Sequence, residues 1–191
     1  MNKLKLIENT EPCDIANLLL DNNIICVFNG RSEAGSRALG NRSLIFNPKI
    51  SSNKDMVNEI KGREKFRPLA CSILLDEVKN WFHMNEIEES PFMTYSFDVK
   101  KEKKQLISSV IHVDDTCRIQ TVTKENNFNY YSIIESFFKL TNIPLVGNTS
   151  FNLAGEPIVE TIEDAIKTIY NSKLNYLYFP ECKFLIKKEN S

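Results

Sequence analysis

Apolar residues along the chain follow two different periods. A recurrence every three to four residues, the period of one helix face, predicts helices over residues 14–21, 54–60, 130–140 and 161–170. Short apolar or alternating runs predict strands at residues 24–28, 44–46, 69–75, 93–99, 117–122, 144–147, 176–179 and 184–186. Strands and helices alternate without an internal repeat, and this order indicates one α/β domain over residues 1–191.

Polar residues at the ends of these runs support the predicted boundaries. Pro12 suits the first turn of the first helix, and Ser51 and Ser52 offer N-caps for the second. Thr161 opens a T-I-E-D segment with the pattern of a capping box. The charged run KKEKK at residues 100–104 is predicted to be a solvated turn or helix end, because like charges at this density repel one another.

The balance of charge excludes several classes of partner. The 24 basic and 25 acidic side chains give a net charge of -1, so no bulk field draws the chain to nucleic acid or to an anionic membrane. No apolar run approaches the roughly 20 residues that span a bilayer. The amino-terminal segment carries Glu8, Glu11 and Asp14 before any run reaches the length of a signal-peptide core, and we expect a cytoplasmic protein without membrane insertion.

The positions of cysteine and histidine indicate neither a zinc site nor a disulfide framework. Five cysteines, at positions 13, 26, 71, 117 and 182, form no C-x-x-C pair, and His83 and His112 lie far apart. A reducing cytoplasm fits this usage best.

The segment GRSEAGSRALGNRS, at residues 30–43, carries three arginines within twelve residues, Arg31, Arg37 and Arg42, each close to a glycine. Guanidinium groups bind phosphate or carboxylate through paired hydrogen bonds, and glycines let backbone amides approach an anion. The segment therefore has the outline of a phosphate site. An exposed loop whose arginines pair with Glu33 or other acids explains the pattern equally well.

A second basic segment, KGREKFRP, places Lys61, Arg63, Lys65 and Arg67 ahead of a predicted strand. In an extended conformation these four side chains would project to one face and repel one another unless an anion joined them. On its own, the segment is better explained as a solvated basic turn.

Two further segments offer polar groups at predicted strands. Arg118 is the one charged residue of TCRIQTV, so we expect it to meet a partner, either a ligand or an acid such as Asp114 or Asp115. GNTSFNLAGEP places Ser150 and Asn152 among short hydrogen-bonding side chains that suit a phosphate or a ribose and are equally typical of turns. Neither the P-loop pattern nor the dinucleotide pattern G-x-G-x-x-G is present.

Taken together and in this order, the four segments resemble the C-terminal domain of the O-carbamoyltransferases that modify nodulation factors and antibiotics. The resemblance covers about residues 29–187. It implies a YrdC-like fold, an α/β domain with a twisted mixed sheet flanked by helices. It also implies that the chain converts carbamoyl phosphate and ATP to carbamoyl-adenylate. In that family a separate Kae1-like domain with a histidine-bound metal then moves the carbamoyl group to a hydroxyl, and these 191 residues contain no counterpart of it.

The resemblance also assigns site residues. The basic residues that match the family's motifs are Arg37, Lys61, Arg67 and Arg118, and the polar ones are Ser150 and Asn152. Of these, Lys61, Arg67, Arg118 and Ser150 are expected to act in catalysis, and all six, together with Arg31, in binding the nucleotide. Magnesium is expected to enter with the nucleotide, since no pair of carboxylates is a convincing fixed ligand.

The sequence departs from the family pattern at four positions. Ser36 and Cys71 stand where proline is usual, and Asp115 and Cys117 where glycine and alanine are usual. Asp115 is expected to place an unfavourable negative charge beside Arg118.

Three functions are consistent with these features. The first is an activating enzyme subunit that acts with a separate Kae1-like transferase chain. The second is a catalytically silent nucleotide-binding or interaction module, which would bind ATP without releasing pyrophosphate. The third, RNA binding, follows from the YrdC relationship but is disfavoured by the balanced charge.

Overall fold

Ten strands form one mixed sheet in the computed structural model, which describes residues 3–189. The sheet order is β1-β10-β9-β2-β3-β8-β4-β7-β6-β5. Strand β4 runs parallel to β7 and β2 parallel to β9, whereas β3 and β4 both run antiparallel to β8. The strands are β1 (Lys3–Ile7), β2 (Ile25–Phe28), β3 (Arg42–Phe46), β4 (Ala70–Leu74), β5 (Phe82–His83), β6 (Ser96–Val99), β7 (Thr116–Val122), β8 (Leu145–Ser150), β9 (Tyr176–Phe179) and β10 (Phe184–Glu189).

Helices flank this sheet, and all four predicted helices are present. They are α1 (Pro12–Leu20), α2 (Asn53–Ile60), α4 (Phe128–Thr141) and α5 (Ile162–Tyr170). A fifth, α3 (Val78–Trp81), is a single turn that the sequence pattern did not predict. Short 3₁₀ helices cover Leu75–Glu77, Lys101–Ile107 and Pro180–Cys182. The fold class predicted from the sequence, an α/β domain with a mixed sheet flanked by helices, is confirmed.

Two of the three predicted helix starts are confirmed in detail. Pro12 occupies the first turn of α1, and Thr161 caps α5 in a reciprocal box with Asp164. The prediction for Ser52 was wrong in its mechanism, because this N-cap residue already has helical backbone angles and its side chain makes no capping hydrogen bond. Helix α2 is instead anchored by the Asn53 amide, which donates to the carbonyl oxygen of Asn47 at 2.9 Å.

One predicted strand is shorter than the pattern indicated. Only Ser96–Val99 of the run 93–99 forms a strand, and Met93, with a left-handed φ of 54°, lies outside it. The basic run at residues 100–104 lies mostly in the 3₁₀ helix Lys101–Ile107, in agreement with a turn or helix end. Strands β1 and β5 were not predicted.

The register of the central strands determines which side chains share one face of the sheet. Ala70 pairs with Asn148 on one side and with Arg118 on the other, and Ser43 pairs with Ser150. Paired residues project to the same side, so these positions share a single face. The buried polar side chains of Ser72, Gln120 and Asn148 on this face bond to one another. This polar centre supports the candidate site.

Candidate active site

A cleft of about 680 Å³ opens between the segment that follows α2 and the turn that follows β8. We name it the arginine cleft, and its polar lining consists of Lys61, Arg63, Glu64, Arg67, Ser150 and Asn152. Two segments that are about 90 residues apart in sequence are thus brought together at one site. Both belong to the motifs that carried the resemblance.

Lys61 connects the two walls of the arginine cleft from within. Its side chain is only 4% exposed, and its Nζ donates to the carbonyl oxygens of Ser150 at 2.6 Å and Asn152 at 3.0 Å. The Asn152 Oδ1 and the Ser150 Oγ lie 2.8 and 3.1 Å from the same nitrogen. Burial, and then the charge of Arg63, lower the pKa of Lys61 to about 7. Lys61 therefore fixes the positions of Ser150 and Asn152.

Residues 61–67 form a turn, which is the conformation that the sequence favoured for this segment, and the extended alternative does not occur. Lys61 ends α2, Gly62 follows with a φ of 63°, and the amide of Asn58 donates to the carbonyl oxygens of Lys65 and Arg67 at 3.1 and 3.0 Å. The chain turns instead of extending, so the basic side chains do not alternate along one face. Lys61 is buried as a result, whereas Arg67 is exposed and pairs with Glu64 at 2.7 Å.

Arg63 was not among the predicted site residues, yet it lines the arginine cleft. Its Nε donates to the Asn58 side chain at 2.6 Å, which fixes the guanidinium in place. Burial, followed by the positive charges of Arg67 and Arg118, lowers the pKa of Arg63. Its position two residues after Lys61 was a signal in the sequence, because a turn after a helix brings such neighbours to one cleft.

Arg118 interacts electrostatically with Arg63 of the arginine cleft and with Arg37 of the segment at residues 30–43. Burial, followed by the charge of Arg37, lowers the pKa of Arg118. Its Nε is buried, and its guanidinium makes no hydrogen bond or ion pair within residues 3–189. Arg37, Arg63, Arg67 and Arg118 thus form a connected group of cations, which we name the arginine group.

The acids proposed as partners of Arg118 are engaged elsewhere. Asp115 pairs with Lys104 at 2.7 Å, and Asp114 accepts hydrogen bonds from the backbone and hydroxyl of Thr116. The expected unfavourable charge of Asp115 beside Arg118 is therefore offset by Lys104.

Arg42 has a structural role instead of the anion-binding role that its position suggested. It is 3% exposed, and its guanidinium donates to the carbonyl oxygens of Asn29 and Asn41 at 3.0 Å each, of Gly30 at 3.0 Å and of Glu160 at 3.3 Å. The guanidinium also lies 3.5 Å from the centre of the Phe28 ring. These contacts leave little of it for a ligand.

The other two arginines of the segment at residues 30–43 are exposed. Arg31 and Arg37 both lie on the surface. The charge of Arg37, but not that of Arg31, acts on Arg118. Glu33 does not pair with an arginine. Its Oε1 accepts from the backbone amides of Leu39 and Asn41 at 2.7 and 2.8 Å, so it holds the loop in shape.

Two departures from the family pattern contact each other. Cys71 and Cys117 are buried on neighbouring strands with their sulfur atoms 3.6 Å apart. Burial, and then the neighbouring thiol, raise the pKa of Cys71, which disfavours the reactive thiolate. The pair is therefore a packing feature of the sheet beneath Arg118.

The described part of the chain offers neither a metal-ion cluster nor a membrane-spanning helix. Within residues 3–189, no three side chains of His, Cys, Asp or Glu are grouped so as to hold a metal ion. No helix in the same range has the length and apolarity needed to cross a membrane.

Comparison with known proteins supports the fold and the family. The structure is similar to full-length HypF in its phosphate- and nucleotide-bound form, with a TM-score of 0.58 and 18% identity over 99% of this chain and 23% of HypF. It is also similar to P. abyssi Sua5 complexed with L-threonine, with a TM-score of 0.58 and 14% identity over 88% of this chain and 47% of Sua5. These likenesses agree with the predicted YrdC-like fold.

Sequence relatives are more similar but much longer. The chain is 39% identical over 188 residues to the nodulation protein NolNO of Sinorhizobium fredii, covering 95% of the chain and 27% of NolNO. It is 40% identical over 161 residues to the nodulation protein NolO of Bradyrhizobium diazoefficiens, covering 83% of the chain and 29% of NolO. The chain thus spans less than a third of the length of either protein. The family model described as Carbamoyltransferase C-terminus matches residues 16–188, and the chain belongs to this family.

Proposed function

We propose that this chain binds ATP and carbamoyl phosphate and forms carbamoyl-adenylate, which a separate Kae1-like transferase subunit then uses. The single observation that carries the proposal is the arginine group, in which Glu64 pairs with Arg67 but no acid among residues 3–189 forms an ion pair with Arg37, Arg63 or Arg118. Four neighbouring guanidinium groups repel one another unless a polyanion joins them. Membership of the carbamoyltransferase C-terminus family and the nucleotide-bound form of HypF favour a triphosphate as that anion.

The proposed reaction is a transfer at the α-phosphorus of ATP. Carbamoyl phosphate first loses its phosphate to water and yields carbamate. An oxygen of carbamate then bonds to the α-phosphorus while the bond from this phosphorus to the bridging oxygen of the β-phosphate breaks. Pyrophosphate leaves with the electron pair of that bond. The protein contributes positioning and electrostatic stabilisation, as is usual for transfers at phosphorus.

The site residues have different parts in this proposal. Arg37, Arg67 and Arg118 offset the charge that builds up on the phosphates, and Arg63 joins them because it lines the arginine cleft beside Arg67. Ser150 and Asn152 orient the carbamoyl or phosphate end of the substrates. Lys61 holds both residues in place through its four contacts. Arg31 contributes to nucleotide binding from the exposed edge of the loop.

Magnesium and the transferase subunit are also part of the proposal. The described residues offer no cluster of carboxylates for a resident metal, so magnesium is expected to arrive on the phosphates of ATP. The proposed partner is a Kae1-like transferase subunit, which the resemblance to the O-carbamoyltransferases implies. The metal site and the acceptor pocket would then belong to that partner.

The test is pyrophosphate release from ATP and magnesium by the purified chain, with and without carbamoyl phosphate. We expect release that requires carbamoyl phosphate and is lost in Arg67→Ala. Lys139→Ala is the control, because Lys139 is an exposed cation that pairs with an acid, Glu135, outside the arginine cleft. Release that is equal with and without carbamoyl phosphate would contradict the proposal.

Two outcomes correspond to the other candidate functions. ATP binding without any pyrophosphate release, even with a transferase partner added, would indicate a silent nucleotide-binding module. A tight RNA complex that weakens steeply with salt would indicate nucleic-acid binding.

A further inference from the structure

Among the described residues that line the arginine cleft, Glu64 carries the one carboxylate. It lies in sequence between two members of the arginine group, Arg63 and Arg67, and its side chain is 55% exposed. Hydrogen bonds from its own backbone amide and from Arg67 lower the pKa of Glu64, so the carboxylate is charged at neutral pH. A cleft suited to polyanions therefore has a negative charge on its wall.

Glu64 engages only one edge of the Arg67 guanidinium. The Oε2 of Glu64 accepts a hydrogen bond from the Nε of Arg67 at 2.7 Å, and the backbone amide of Arg67 donates to the carbonyl oxygen of Glu64 at 3.1 Å. Within residues 3–189 the two terminal nitrogens of Arg67 make no hydrogen bond, so they are available to a phosphate. The carboxylate can therefore stay in place when an anion binds.

The position of Glu64 makes binding sensitive to the charge of the ligand. Its carboxylate interacts electrostatically with Arg63 as well as with Arg67, the two arginines that line the arginine cleft. A phosphate held by these arginines would lie close to a like charge, and this repulsion opposes the binding of a highly charged anion. The partial exposure of Glu64 limits the repulsion without removing it.

The interaction is reversed for phosphates that carry magnesium. The two positive charges of this ion offset part of the charge of the phosphates, and magnesium bound to phosphates usually keeps several water molecules. These waters donate hydrogen bonds, and a carboxylate that is anchored through one oxygen keeps acceptor capacity for them. Such a contact runs through water, so it needs only the single carboxylate that the arginine cleft offers.

We propose that Glu64 is a specificity-determining residue that makes the arginine cleft prefer the magnesium complex of a polyphosphate to the metal-free anion. The inference rests on the proposed function in taking a polyphosphate as the ligand of the arginine group. Glu64 disfavours the metal-free anion by repulsion, and it accepts hydrogen bonds from the waters of the magnesium complex. The form that it selects is the one in which the charge of the departing pyrophosphate is already offset.

The test is the calorimetric binding of inorganic tripolyphosphate at one fixed pH, with magnesium or with a chelator in its place. Loss of the carboxylate in Glu64→Gln is expected to strengthen the binding of metal-free tripolyphosphate about threefold to fivefold, because a like charge is removed. The magnesium complex should bind with unchanged affinity or up to about twofold more weakly, because its waters lose an acceptor. The preference for the magnesium complex, expressed as the ratio of the two affinities, should therefore fall.

Glu59→Gln is the matched control. Glu59 is similarly exposed, at 56%, and pairs with Lys173 at 2.6 Å, but it does not line the arginine cleft. Its substitution should leave the ratio of the two affinities unchanged. Thermal unfolding of both variants confirms that they fold, which the exposed positions of the two carboxylates favour.

An unchanged ratio in Glu64→Gln overturns the inference. Equal strengthening of both forms would mean that Glu64 only offsets the charge of Arg67, and equal weakening would mean that it only orients Arg67. Absence of tripolyphosphate binding in either form would overturn the inference together with the anion site on which it rests.

The proposed function is tested separately, because the binding of tripolyphosphate involves no reaction. A ratio that falls in Glu64→Gln, in a chain that releases no pyrophosphate from ATP, would contradict only the proposed reaction. Pyrophosphate release that requires carbamoyl phosphate, together with an unchanged ratio, would contradict only the role of Glu64.

Discussion

The side-chain nitrogen of Lys61 lies 2.6 Å from the carbonyl oxygen of Ser150, across 89 residues of sequence. This contact joins the end of α2 to the end of β8, and it places an almost fully buried ammonium behind the residues that face the arginine cleft. A cation in this position adds to the field at the cleft without needing to touch a ligand. Its charge state should therefore control both binding and stability.

Anion binding is expected to weaken as the pH rises above about 7. Burial and the neighbouring Arg63 lower the pKa of Lys61 to about 7, so its positive charge is lost from the free protein above that pH. A bound polyphosphate favours the charged form, so binding takes up a proton and the affinity falls by up to about tenfold per pH unit. Titration of tripolyphosphate by calorimetry between about pH 7.5 and 9 measures this slope.

The control for this measurement is Lys61→Met, which keeps a side chain of similar length without a titrating group. Its affinity for tripolyphosphate should be lower and should lack the fall with rising pH that Lys61 adds in the wild type, because the ionisation of tripolyphosphate itself affects both proteins alike. An equal slope in the wild type and in Lys61→Met would assign the pH dependence to another group.

The same pKa makes the free protein more stable as the pH rises. Lys61 titrates near pH 7 in the folded chain and near about 10 when unfolded, so between these values the unfolded chain binds more protons. The free energy of unfolding of the wild type, relative to Lys61→Met, should increase across this window by an amount on the order of 4 kcal/mol. Urea unfolding of both proteins at pH 7 and at pH 9.5 measures this difference in unfolding free energy. A difference that decreases as the pH rises would contradict the prediction.

Much of the fold followed from local chemistry that the sequence shows directly. The capping box at Thr161 and the proline at the start of α1 act through residues within one turn, so their patterns predict the structure. Met93 shows the limit of this approach, because its left-handed backbone angle interrupts an apolar run that reads as a strand. Strand β1 was also missed, since its five residues gain their pairing from β10 at the other end of the chain.

The site was predictable in its residue types and less so in its geometry. The arginines of residues 30–43 look alike in sequence, but four backbone carbonyls engage Arg42, whereas Arg37 lies exposed near Arg118. The difference comes from tertiary contacts that involve residues as distant as Glu160, which no local pattern encodes. Lys61 and Arg67 are separated in the same way, one buried and one exposed, by the turn at Gly62.

Substitution of Gly40 by alanine is expected to destabilise the protein by about 2 to 4 kcal/mol. Gly40 has a φ of 104°, and a Cβ added there would lie 2.2 Å from the ring of Tyr130, which is fully buried. Both the backbone strain and the overlap oppose the change. Chemical unfolding of Gly40→Ala measures the loss.

Gly35→Ala is the matched control, because Gly35 lies in the same loop and a Cβ there would meet no atom within 4 Å. Its unfolding free energy should stay within about 0.5 kcal/mol of the wild type. A comparable loss in both variants would mean that the loop tolerates no side chain for a reason other than contact with Tyr130.

Replacing Arg118 by methionine is expected to stabilise the ligand-free protein while it removes anion binding. Arg118 is half-buried beside Arg37 and Arg63, and its guanidinium makes no ion pair or hydrogen bond with the described residues. Methionine retains most of the apolar stem and relieves the desolvation and the repulsion, which partial exposure limits to about 1 kcal/mol. Stability of this kind is commonly given up at a binding site.

Two measurements on Arg118→Met test this trade-off together. Thermal unfolding without ligand should shift upward by a few degrees, and the shift that tripolyphosphate adds in the wild type should disappear. Arg118→Lys, which restores a charge without the planar guanidinium, should recover only part of the ligand-induced shift. A lower unfolding temperature for Arg118→Met would mean that Arg118 stabilises the fold and is not held in place for an anion.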